Sequence, residues 1–241
     1  MDIRLKGSAA VCTQLALPLW GIVLGIEILL IFLGKLVPVG FDAAAVAGAY
    51  VIGRIVYPLH TRLSAAASCQ RMMQIKAFAL HSIVTAFSMA AVNGVMYGVL
   101  SAAMKKPPAL LIISGYYQIK PPALPILILI NILWSGTLTA AVYMFGYADG
   151  AASSRMKNVS VVYIAAGLAA IIFGGMLLGI TPLGNAADSL INTASDILIP
   201  LHRTVFSSSA VSLVMWLLLA FVGFIAHRKR SFAFCANDGK R

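Results

Sequence analysis

Charge is scarce in this sequence: Asp, Glu, Lys and Arg together make up 10% of its 241 residues, against about a quarter in soluble domains. A chain so poor in charge and 61% apolar cannot cover itself with polar surface. Acidic residues are the scarcer charge, seven against eighteen basic ones. Cysteine is nearly absent as well: Cys12, Cys69 and Cys235 include no closely spaced pair, which excludes a zinc or redox motif and leaves no disulfide framework to expect.

Several chemical signatures are also missing. No Gly-x-x-x-x-Gly-Lys-Ser/Thr loop is present, so the chain does not bind ATP by the phosphate-cradling route. There is no His-Glu-x-x-His pair, no close aspartate pair and no Gly-x-Ser-x-Gly elbow, which removes the common metal-dependent and nucleophilic hydrolases. His60, His81, His202 and His227 are scattered without ligand spacing. No catalytic residue, cofactor or metal is expected, and the chain is read as a non-enzyme.

What the sequence does have is long apolar runs. A stretch of about 20 apolar residues matches a hydrocarbon core roughly 30 Å thick. Six such runs are expected as spans over 15–34, 42–58, 77–103, 124–147, 159–180 and 210–227. The first, preceded by Arg4 and Lys6, exceeds the length of a signal core and is taken as a retained span. The second is rich in Ala and Gly and carries Arg54. Between spans two and three, residues 60–76 turn polar and basic, with Arg62, Arg71 and Lys76, and are expected to form a short cytoplasmic helix. The proline-bounded stretch around Leu110–Ile113 and Tyr116 is too short to cross and is expected on the outer surface. Residues 181–209, mixed in polarity, are expected as an extracellular segment. The fold class is therefore an all-α membrane protein, a bundle of about six transmembrane helices in the cell membrane.

The net charge of +11 raises the question of nucleic acid, but the positions of the basic residues answer it. Placing both ends in the cytoplasm puts Arg4, Lys6, Arg54, Arg62, Arg71, Lys76, Arg155, Lys157, Arg228, Lys229, Arg230, Lys240 and Arg241 inside, and leaves five basic residues outside. That asymmetry is the one membrane topology produces; lipid, not nucleic acid, is the expected partner.

A few polar residues stand out within or beside the spans. Glu27 falls within the first span, where an ionised carboxylate costs about 2.5–3.5 kcal/mol or more on insertion scales. It is expected to face other helices, a cavity or a basic partner, either as a polar point in a substrate path or a proton site, or as a carboxyl paired with Arg54 or hydrogen bonded within the bundle. Asn93, Asn131 and Gln14 are expected as interhelical contacts. Gly21 with Gly25, Gly94 with Gly98, and Gly175 with Gly179 place two glycines on one helix face, a pattern for close packing.

Six spans, cytoplasmic ends, a basic helix between spans two and three and a long outer segment between spans five and six together resemble the permease subunits of ABC-type exporters of the drug, bacteriocin and lantibiotic class. The local likeness is Ser68, Cys69, Gln70, Arg71 and Met72 leading into the third span. Many such permeases carry there a Gly-x-Ser/Thr-Arg-Arg/Lys motif followed by an aromatic pair; Arg71 matches it, while Ser68, Gln70 and Met72 replace its other members. The resemblance implies a homo- or heterodimer of permeases served by cytoplasmic ATP-binding subunits, with Arg62, Arg71 and Lys76 in the docking segment. Two other functions compete: an intramembrane enzyme, which requires clustered nucleophiles or ligands, and a sensor, immunity or assembly protein, which requires no ATP turnover.

Overall fold

The structure, a computed structural model, describes residues 3–33, 40–66, 71–104, 108–117, 122–153 and 204–238. They form α1 (Ile3–Leu33), α2 (Ala43–Ala66), α3 (Arg71–Ala103), the short α4 (Leu111–Tyr116), α5 (Leu124–Ser153) and α6 (Val205–Asp238). Among the described residues all regular structure is helical. Five of the helices contain stretches long and apolar enough to cross a membrane: Lys6–Phe32, Ala43–Ser64, Met72–Ala103, Leu124–Ala151 and Val205–Val222. The expected span over 159–180, and the outer segment as far as residue 203, lie outside the described residues.

The polarity of the bundle is that of a protein solvated by lipid. Large apolar side chains such as Phe32, Val84, Val95, Leu129, Leu217 and Phe221 face outward, while Ser8, Glu27, His60, Asn93, Asn131 and Asp149 are buried. In hydrocarbon no water satisfies an outward polar group, so polar side chains turn toward other helices.

The helices are longer than their apolar runs, because polar residues at their ends find partners inside the bundle. Ser8 near the start of α1 meets His60 and Ser64, one turn apart on α2. α2 consequently continues past Pro58 to Ala66, although proline gives no N–H to the preceding turn. The separate cytoplasmic helix expected over 60–76 is thereby corrected: residues 60–66 complete α2, and Arg71 to Lys76 open α3. α6 begins at Val205, before the expected 210, because Thr204 and Ser207 cap each other's backbone N–H groups at 3.1 Å. The stretch at the start of α4 is also less superficial than expected, since Leu110 and Ile112 are fully buried.

Side-chain contacts give the helix directions. α1 is antiparallel to α2, since Gly48 meets Val23 while His60 meets Ser8. It runs parallel to α3, with Thr13 against His81 and Glu27 against Asn93. α5 is antiparallel to α3, because Gly94 packs on Ile128 and Ile132 while Gly136 packs on Phe87. α6 runs with α5: Ser208 bonds Trp134, and Trp216 bonds Ser82 in the first half of α3. Hence Ile3, the α2–α3 junction, Ser153 and the C-terminal end of α6 share one end of the bundle, called the near end here. The chain leaves α5 at the near end and enters α6 at the far end, the two points that the expected intervening span would join.

At the centre, α2 and α5 touch backbone to backbone. A Cβ on Gly53 would run into the Tyr143 carbonyl oxygen, and one on Gly146 into that of Tyr50. A Cβ on Gly150 would stand 3.1 Å from the Arg54 oxygen. Of the glycine pairs expected to pack closely, Gly94 and Gly98 do so against Ile128, whereas Gly21 and Gly25 have no atom within 4 Å; Gly175 and Gly179 lie outside the described residues.

These directions make a labelling prediction. In a variant with Cys12, Cys69 and Cys235 replaced by serine, single Lys6→Cys and Arg62→Cys substitutions react with a membrane-impermeant maleimide from the same face, and Met104→Cys from the opposite face. Reaction of the first two from different faces contradicts the fold.

Candidate intramembrane polar site

Three groups of polar side chains cross the interior. Nearest the chain ends, the Ser8 hydroxyl lies 2.8 Å from His60 Nε2 and 3.1 Å from the Ser64 hydroxyl. The Tyr147 hydroxyl is 3.4 Å from His60 Nδ1, and the Tyr147 ring stacks on Phe78 with centroids 3.8 Å apart. A serine beside a histidine has the makings of a nucleophile. Here Ser8 is 4% exposed and His60 not at all, so the pair is closed to substrates and acts to fasten α1 to α2.

The second group is an ion pair across the close crossing. Arg54 Nε lies 3.4 Å from Asp149 Oδ2, and the Tyr50 hydroxyl donates to the same oxygen at 2.8 Å. The expected pairing of Glu27 with Arg54 is therefore corrected. α1 and α2 are antiparallel, so the start of α2 stands level with Glu27, and Arg54 lies about 15 Å further along the axis at 1.5 Å per residue. Asp149, in a stretch expected as a polar turn, is helical and buried because α5 extends to Ser153.

Glu27 is the only glutamate of the chain and is fully buried. α1 ends six residues later, which places it about 9 Å from the helix end and toward the far end of the bundle. The Asn93 Nδ2 donates to its Oε1 at 2.9 Å, joining α1 to α3 as an interhelical contact; Oε2 has no hydrogen-bond partner. Asp42, immediately before α2, accepts from the Leu111 backbone N–H at 2.7 Å and anchors the α4 segment. Burial pushes the Asp42 carboxyl up to about 6, against the opposing effect of the Leu111 N–H. Asn131 on α5 is fully buried, and neither end of its amide is hydrogen bonded.

The expected docking residues lie elsewhere. Arg62 and Lys76 are exposed on either side of the α2–α3 junction, and Arg71 is the first residue of α3. They belong to the near end, remote from Glu27. Sequence reasoning passed over Asp42 and Asp149, though each had a legible signal. Asp42 has the residue type that favours a helix start, and Asp149 lies between two glycines, Gly146 and Gly150, at the spacing that packs helices closely.

Compared with protein-family models, curated proteins and solved structures, the chain finds no match in any of the three.

The Glu27–Asn93 bond supports a direct test. Asn93→Leu strips a buried carboxyl of its donor and lowers unfolding stability in detergent by about 1–3 kcal/mol. The loss shrinks in a Glu27→Leu background, because the two residues are coupled. Equal losses in both backgrounds contradict the pairing.

Proposed function

We propose that the chain is the membrane-spanning permease subunit of an ATP-binding-cassette exporter in the cell membrane, with the near end of the bundle on the cytoplasmic side. The observation that carries this proposal is the gathering of both chain ends and the α2–α3 junction at one end, with Arg62 and Lys76 exposed there. A cytoplasmic ATPase needs such a face. It must press on helices that continue across the bundle, and α2 and α3 run from this junction to the far end without a break.

Physical economy supports the same arrangement. With no phosphate-binding loop in its sequence, the chain draws energy for transport from a partner. Exposed arginine and lysine suit an acidic docking surface, where complementary charge governs encounter and register. The ion pair and the close glycine crossing make α2 and α5 one rigid unit, so a push at the α2–α3 junction reaches the far end as a tilt of that unit. The outward apolar faces meet lipid and a second permease, which completes a substrate path between two bundles.

Co-expression with any ATP-binding subunit encoded beside it tests the proposal. The two co-purify, and the complex shows vanadate-sensitive ATP hydrolysis. A double charge reversal, Arg62→Glu with Lys76→Glu, weakens association about tenfold, a loss of the order of 1.4 kcal/mol. Purification of the chain always alone, with no ATPase, contradicts it.

A further inference from the structure

Four buried polar side chains lie toward the far end, on four different elements: Glu27 of α1, Asp42 before α2, Asn93 of α3 and Asn131 of α5. Each adjoins the same apolar cluster. Leu30 and Ile31 follow Glu27 by three and four residues, Phe41 precedes Asp42, Met96 and Tyr97 follow Asn93 by three and four, and Leu127 and Trp134 flank Asn131. Residues three and four apart share a helix face. The four polar groups thus lie at about one level, among the residues of this cluster. Two contacts fix the layer independently: the Asn93–Glu27 bond of 2.9 Å, and the packing of Gly94 on Ile128 and Ile132, which sets Asn131 level with Asn93.

The hydrogen-bond inventory of this layer is lopsided. Its unpartnered atoms are four oxygens, Glu27 Oε2, Asp42 Oδ2, Asn93 Oδ1 and Asn131 Oδ1, against a single nitrogen, Asn131 Nδ2; besides Asn93, the Ala45 backbone N–H also faces the Glu27 carboxyl. No Lys or Arg among the described residues pairs with either carboxyl. Acceptors and negative charge without donors are costly in a buried site, and a cation satisfies both at once. All the available ligands are hard oxygens, which favour alkali and alkaline-earth ions; among the described residues no three His, Cys, Asp or Glu side chains come together to hold a transition metal. Calcium takes about six to eight oxygens, more than this closed layer offers, so a singly charged ion suits it better.

We propose that Glu27, Asp42, Asn93 and Asn131 bind a dehydrated monovalent cation of sodium size, coordinated by their four unpartnered oxygens. The ion ties α1, α2, α3 and α5 together at the level of the far-end cluster, so its occupancy holds these helices in register. The site requires no ATPase, and it stands or falls separately from the permease proposal.

The full-length chain, purified in detergent, tests it. Unfolding midpoints are measured in chloride salts of sodium, potassium, calcium and choline at constant ionic strength, together with equilibrium binding of radioactive sodium. Sodium is expected to raise the midpoint saturably over choline and to bind at one ion per chain. Glu27→Gln and Asn131→Leu abolish both effects, and Asp42→Asn serves where either variant fails to fold; Arg54→Lys, outside the layer, retains them. Identical midpoints in sodium and choline overturn the proposal, as does stabilisation by calcium alone, a response to pH without any cation dependence, or sodium binding undiminished in all three layer variants.

Discussion

The close crossing of α2 and α5 governs the rest of the structure. Gly53, Gly146 and Gly150 let the two backbones touch, and in lipid such contact is a main source of helix association, because burying an apolar side chain gains nothing over leaving it in hydrocarbon. Once the crossing is made, Tyr50 and Arg54 are brought to Asp149, and Tyr57 packs edge-on against Tyr147 with centroids 4.8 Å apart. The crossing also fixes how far α2 reaches toward each end. At one end His60 meets Ser8, and at the other Asp42 enters the layer of Glu27 and Asn93.

The polar interior follows from the same logic. Each buried polar side chain costs free energy when alone in a low-dielectric bundle, and most of those described here are matched across helices: Ser8 with His60, Asp149 with Arg54, Trp134 with Ser208, and Trp216 with Ser82. These links are few and specific, so they set register where apolar packing alone tolerates sliding. In the far-end layer oxygens outnumber donors. An ionisable side chain within the membrane is by default a candidate functional site.

The helical class, five of the expected spans and the interhelical role of Asn93 were legible in the sequence, because hydrocarbon thickness and the cost of buried polarity act on local composition. Helix ends were not. An apolar run stops at the first polar residue, whereas the helix continues for as long as that residue has a partner, as Ser8, His60 and Asp149 do. The Glu27–Arg54 pairing failed for a related reason: composition records that two charges lie within spans but not that antiparallel neighbours hold them at different depths. Spacing also marked glycine pairs without showing which face a neighbour. Gly21 with Gly25 and Gly146 with Gly150 share one spacing, yet only the second pair meets another backbone.

That difference supplies the most direct test. Alanine favours a helix over glycine by about 1 kcal/mol, so Gly21→Ala, with open space around its Cβ, leaves stability unchanged or slightly raised. Gly146→Ala drives a methyl into the Tyr50 carbonyl and lowers stability by about 1–3 kcal/mol, the cost of overpacking. Unfolding of the two variants in the same detergent, with Gly146→Ala as stable as Gly21→Ala, would contradict the crossing on which the fold and both proposed sites rest.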